Sequence, residues 1–382
     1  MAFTILYCIG SLSTKGGTER VLSTKTKFFV EQEGMNIHIA TNDICEQTAY
    51  KFSSSIMIHS MGDTVSLPCI RIPIVTNWIY KKLFYKQYEK LMQEISPDLV
   101  IVLERGTDDF YIPTICHRLG IPVAREFHFA KAAVYERSKL MGLFERIKYL
   151  FDYSRIFSAF DNYDYMLLLT KKDQIEGKYS NKTVVIPNVV QLRDVSIIPN
   201  YYSKSVISVG SMYDKRKGFD QLVEIWLDII KLYPDWKLNI YGDGKERENI
   251  QRMIDDNSLS SSIILHGAVD DIDSAYLNSS FYVSASIAEG LPMVLIEAMN
   301  YGLPCIAYDC PTGPSDIITD GVDGSLVKLY DKVALKQAIL NYIRDIEMVK
   351  EMGANAKMKA KKFSPENIIP LWISFFKSVN KL

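Results

Sequence analysis

Glu289 and Glu297 stand with seven residues between them in SIAEGLPMVLIEAMNYGLPCIAYDCPTGPSDIITDGVDG, Ser286 to Gly324. Gly290 and Pro292 follow the first, and the second falls inside a helical pattern that starts beyond the proline. A loop that presents a carboxylate, turns through glycine and proline and enters a helix suits an anionic, hydroxyl-rich ligand. Through Gly290, Leu291, Pro292, Met293, Val294 and Leu295 the chain passes from loop into helix; backbone N–H groups at a helix start face an anion, and the helix dipole adds positive charge there. The two carboxylates then accept hydrogen bonds from hydroxyl groups. A phosphate-linked sugar meets both requirements.

Other residues of the right type recur at strand ends. In SVISVGSMYDKRKGFDQLVEIW a strand ends at Gly210, and Lys215, Arg216 and Lys217 precede a glycine that opens an amphipathic helix. Those cations suit a diphosphate leaving group. Gly242 in YGDG and the pair His266-Gly267 each follow a further strand, although an ordinary turn uses the same residues. Gly16-Gly17 in LSTKGGTERV lies between the first strand and a helix, where glycine lets an anion approach the backbone. This is no G-x-G-x-x-G, so a nicotinamide dinucleotide is not indicated. In REFHFA, His128 sits just beyond a buried strand, and Arg105 has the same placement after LVIVLE.

These residues need a scaffold that brings strand ends together. Short apolar runs at Phe3–Ile9, Asn36–Thr41, Leu99–Leu103, Pro122–Glu126, Tyr165–Leu169 and Thr183–Ile186 alternate with longer helical patterns. The alternation stops in Pro187–Lys204, which has no clean period, and restarts at Ser205–Val209, Lys237–Tyr241, Ile263–Leu265, Phe281–Ser284 and Pro304–Tyr308. Such patterning predicts α/β architecture: two Rossmann-like parallel-sheet domains facing across a cleft, with ligands at the carboxyl ends of the strands. A chain of 382 residues agrees with two domains. The expected boundaries are 1–190 for the first domain, 191–204 for the linker and 205–363 for the second. The amphipathic stretch 364–382 is expected to pack back on the first domain.

Bulk properties exclude several classes. With 48% hydrophobic and 23% charged residues the chain is a globular protein, and a net charge of −1 argues against nucleic acid as partner. Cys8, Cys45, Cys69, Cys116, Cys305 and Cys310 have no zinc spacing and read as reduced thiols of a cytoplasmic chain. MAFTILYCIG reads as a first buried strand rather than a signal peptide.

The pattern E-G-x-P-x-x-x-x-E-A-M-x-x-G-x-P, followed by a glycine loop and I-I-x-D-G-x-x-G, resembles the donor-binding signature of retaining glycosyltransferases of family 4, which have the GT-B fold. The resemblance covers nearly the whole chain and is strongest from Val206 to Val327. It implies that Glu289 binds the transferred sugar, Glu297 the ribose, and the Gly290–Leu295 amides the sugar and diphosphate. It implies that Lys217 is the phosphate lysine, that His128 faces the sugar, and that Gly242, His266 and Gly267 line the nucleoside. The arginine usual after the strand-end glycine is Ser211 here, so Arg216 is the candidate substitute. His128, Glu289 and Lys217 are the expected catalytic residues.

The activity so implied is transfer of a hexose or N-acetylhexosamine, with retention, from a nucleotide sugar to a glycan or lipid-linked acceptor in surface polysaccharide synthesis. The DCPTGPSD-like loop favours a UDP-sugar by the same resemblance. No cofactor and no metal are expected: Asp271-Ile272-Asp273 reads formally as D-x-D but falls before a helix and suits a helix N-terminus. A sugar-nucleotide epimerase, a phosphorylase or a non-catalytic binding subunit remain as alternatives on this fold. NWIYKKLFYKQYEKLM, Asn77 to Met92, reads equally as a peripheral helix on the inner face of a membrane and as a core helix with its lysines in water.

Overall fold

The computed structural model describes residues 2–13, 16–43, 47–61, 73–103, 111–128, 131–174, 181–193 and 197–379, with the side chains of 73–82, 131 and 156 left aside. Arg105, Cys45 and Cys69 lie outside the described residues.

Thirteen strands form two sheets among them. β1 (Thr4–Ile9), β2 (Asn36–Thr41), β3 (Met57–Ser60), β4 (Leu99–Val102), β5 (Val123–Phe127), β6 (Tyr165–Leu168) and β7 (Thr183–Val185) make the first. β8 (Ser205–Val209), β9 (Lys237–Tyr241), β10 (Ile263–Gly267), β11 (Phe281–Ser284), β12 (Cys305–Asp309) and β13 (Gly324–Lys328) make the second. The spatial orders are β3-β2-β1-β4-β5-β6-β7 and β10-β9-β8-β11-β12-β13, with all pairings parallel. In each sheet the order reverses beside its first strand, between β1 and β4 and between β8 and β11. That switch point opens a crevice at the strand carboxyl ends.

Central strands are apolar because helices cover both faces, so Thr4–Ile9 and Phe281–Ser284 are almost wholly buried. β3 and β13 had no such signal in the sequence. Both are edge strands with exposed or half-buried positions, and so lack a continuous apolar run.

The helix Pro365–Val379 lays Ile368, Trp372, Phe375 and Phe376 into the first sheet's core beside Ile5 and Phe29. Trp372 meets Phe29 edge-on, at 5.9 Å between ring centres. The helix Pro73–Ile95 buries Phe84, Tyr85, Tyr88 and Met92 and leaves Lys86 and Lys90 exposed. Over 84–92 its apolar residues are therefore core rather than surface, while Leu83 is exposed. No helix among the described residues is long and apolar enough to cross a membrane.

Candidate active site

The switch points of the two sheets face one another across a cavity of about 530 Å³. Gly16 and Gly17 after β1, His128 after β5, Gly210, Ser211, Tyr213, Asp214, Arg216 and Lys217 after β8, and Glu289 to Val294 after β11 all line it. An adjoining chamber of about 550 Å³ is lined by Val209, Val269, Asp270, Ile272 and Tyr301, and the two share Arg20, Tyr50, Val294 and Glu297.

The loop after β8 owes its shape to two residues. Asp214 accepts the Arg216 N–H at 3.1 Å and caps the short turn Lys215–Lys217. Gly218 then ends the turn at φ 65°, where a Cβ would lie 2.1 Å from the Ala285 carbonyl oxygen. Only glycine allows this approach. Lys217 is thereby aimed at Glu289, its Nζ 2.5 Å from Oε1, while Arg216 lies 4.0 Å from Oε2. Burial alone would raise the Glu289 carboxyl. Lys217 first and Arg216 next outweigh it and hold the group below the ordinary carboxylate range. Glu289 is therefore an anion, available as an acceptor of hydroxyl hydrogen bonds.

The Glu289 loop is braced from the second strand loop. Thr312 donates its hydroxyl to the Glu289 carbonyl at 2.6 Å. The helix Met293–Asn300 begins after Pro292 with no side-chain cap, which leaves its N-terminal amides at the cavity. Leu295 differs: its side chain is core, and its N–H donates to the Pro292 carbonyl. Gly290 meets the first domain, since a Cβ there would lie 2.1 Å from the His128 carbonyl oxygen.

The first domain contributes residues that sequence reasoning did not single out. Arg20, on the helix Gly17–Glu31, pairs with Glu297 at 2.8 Å. Arg137 pairs with Asp214 at 3.0 Å. Both line the cavity, so cations reach it from the domain opposite Ser211. The one available signal was helical spacing, which puts Arg20 a single turn beyond Gly17. Beneath His128, a buried chain runs inward: Nε2 lies 3.1 Å from Glu126, and Lys25 contacts the other Glu126 oxygen. Lys25 also sits over the rings of Tyr7 and Trp372. Burial would raise the Glu126 carboxyl, but Lys25 and then His128 hold it at about 2. Burial lowers the Lys25 ammonium.

Gly242, His266 and Gly267 line neither chamber. Gly242, at φ 134°, lets the loop after β9 pass the Gly210 carbonyl, where a Cβ would be 1.9 Å away. His266 is exposed on the edge strand β10, stacked on Tyr241 and 2.7 Å from Asn239. The β10 loop reaches the second chamber further along, through Val269 and Asp270. Asp271 and Asp273 both face Arg193, and Asp271 caps the Asp273 N–H at 3.1 Å.

Residues 197–359 match the family model of glycosyl transferases group 1. An uncharacterized glycosyltransferase of Haemophilus influenzae is 30% identical over half of this chain, which spans about half (54%) of that relative's length. The amylovoran biosynthesis glycosyltransferase AmsD of Erwinia amylovora is 27% identical over 97% of this chain and 98% of its own. The S. aureus TarM structure, solved with fondaparinux, alpha-GlcNAc-glycerol and UDP, superposes with a TM-score of 0.75 over 98% of this chain and 99% of that one, at 15% identity. The chain thus has the GT-B fold, and its second domain carries a glycosyl transferases group 1 domain over residues 197–359.

Proposed function

We propose that the chain is a retaining glycosyltransferase that moves a hexose or N-acetylhexosamine from a UDP-sugar to a glycan or lipid-linked acceptor of a surface polysaccharide. One observation carries this reading: Glu289, Glu297 and an uncapped helix N-terminus share one cleft with Lys217, Arg216, Arg20 and Arg137. Carboxylates alone suit hydroxyls and cations alone suit phosphates; a nucleotide sugar needs both. The UDP assignment draws support from the DCPTGP loop and from the UDP held by TarM.

In this reading Glu297 holds the ribose hydroxyls and Glu289 the hydroxyls of the sugar. Lys217, Arg216 and the amides at Met293 and Val294 stabilise the diphosphate as the bond from C1 to its oxygen breaks. The acceptor oxygen bonds C1 on the same face, and its proton passes to the departing diphosphate oxygen. His128 contacts the sugar. The lysine and arginine charge takes the place of a metal ion. Closure of the two domains excludes water from the reactive sugar.

A thermal-shift panel of nucleotide sugars tests the donor. The correct UDP-sugar raises the melting temperature more than UDP does, because ligand that binds only the folded state stabilises it by mass action. Glu297→Ala abolishes that shift. A variant that keeps it removes Glu297 from the site. Product anomeric configuration and turnover in a chelator test the two remaining assignments.

A further inference from the structure

The helix Leu143–Ser158 turns an apolar face to solvent. Leu143, Phe144, Ile147 and Phe151 are 69%, 87%, 59% and 60% exposed. At about 3.6 residues per turn the four fall within roughly 100° of arc. A different side of the same helix carries Tyr153 and Phe157 against the first domain's core. Single exposed apolar residues are ordinary. A row of four large ones, presenting on the order of 500 Å², matches the largest apolar patch of a typical monomer, and such patches are often functional.

The charges beside this row are ordered. Exposed Lys148 and Arg155 come next around the helix, and Glu145 and Asp152 lie beyond them, away from the row. Cations border the apolar face and acids stand further off. That order matches a boundary where lipid phosphates overlie hydrocarbon: the apolar side chains enter, and long basic side chains reach back to the phosphates. A second copy of the chain fits less well. Two such faces together would bury on the order of 1,000 Å², short of the roughly 1,200 Å² at which stable specific interfaces begin.

We propose that this face docks the chain on an anionic lipid bilayer. The preceding helix, Lys131–Ser138, supplies Arg137 to the cavity, so the docked surface adjoins the cleft. The proposal stands on the exposed face alone and is independent of the donor assignment.

Co-sedimentation with vesicles tests it. The protein is expected to bind mixed phosphatidylglycerol and phosphatidylcholine vesicles at least about tenfold more tightly than phosphatidylcholine alone. Phe144→Ser with Phe151→Ser lowers binding to the anionic vesicles at least about tenfold. Lys148→Glu with Arg155→Glu removes the preference for anionic lipid. Both double variants keep the wild-type melting temperature and thermal response to UDP, which reports the donor site separately. The proposal fails if the wild type ignores anionic vesicles, or if the double variants bind like the wild type. It also fails if light scattering finds a wild-type dimer that the serine variant dissolves.

Discussion

Arg20 of the first domain holds Glu297 of the second at 2.8 Å, so the carboxylate assigned to the donor ribose is already occupied by a cation from across the cleft. The Arg20 side chain is 46% exposed and that of Glu297 only 14%. A half-exposed pair of this kind contributes little, typically about 0–1 kcal/mol. A ribose that takes its place must displace it. Arg20→Ala is therefore expected to leave the melting temperature nearly unchanged and to tighten uridine binding by up to about fivefold. Calorimetric titration with uridine reads this directly; weaker binding in the variant would assign Arg20 to the nucleoside itself.

Lys217 and Glu289 are both largely buried, so each is costly without the other. Removing one partner of a buried pair destabilises by about 3–5 kcal/mol, because the remaining charge is left uncompensated. Lys217→Met should lower the urea midpoint accordingly and cut turnover by about 100-fold or more, in keeping with the loss of a charge-stabilising donor. Lys217→Met combined with Glu289→Gln should recover most of the stability and none of the turnover. Recovery of turnover would remove both side chains from the chemistry.

The parts of this site that were readable from sequence are those fixed by short-range order. Glu289, Gly290, Pro292 and Glu297 lie on one strand-loop-helix unit, so their relation follows from local geometry. Lys217 and Gly218 belong to a similar unit one strand away. Arg20 and Glu297 are 277 positions apart, and only the facing of two domains pairs them. Lys25 and Glu126 are likewise a pairing made by the sheet. His266 is the converse case: strand placement singled it out, and the fold sets it outside both chambers. It lies next to the last residue of β10, as His128 lies just past β5, but β10 is an edge strand and its terminus lies away from the switch point. β3 and β13 stayed hidden because Met57–Ser60 and Gly324–Lys328 mix apolar with polar residues and lack the apolar runs that mark central strands.

Glu126 gives the fold an acid-sensitive point. Its carboxyl sits at about 2 in the folded chain against an ordinary 4.5, so the folded state takes up its proton less readily than the unfolded one. The resulting stabilisation is complete above about pH 4.5 and is lost as pH falls toward 2. Glu289, also held low, acts in the same direction. Glu126→Gln should flatten the fall of the urea midpoint between pH 5 and pH 3 and lower stability at pH 7, where Lys25 is left buried without its counter-ion. A variant with the wild-type acid slope would show that the Lys25–Glu126–His128 chain does not carry this dependence. Turnover of Glu126→Gln should fall as well, since the group 3.1 Å from His128 Nε2 is no longer charged.

Gly290 separates donor binding from domain approach. The second domain needs no side chain at this position, but the first domain brings its His128 carbonyl to within 2.1 Å of where a Cβ would stand. Backbone cannot yield as the tip of a side chain can, so Gly290→Ala must move one domain relative to the other. The second domain's own residues, Lys217, Glu289 and Glu297, keep their places in the variant. UDP affinity should therefore stay within about threefold of wild type. Turnover should drop by at least about tenfold, because small misplacements of a bound sugar relative to its reacting partners are costly in rate. Equal losses of UDP affinity and turnover would mean that the alanine distorts the donor loop itself, and the interdomain contact would then have no separate role.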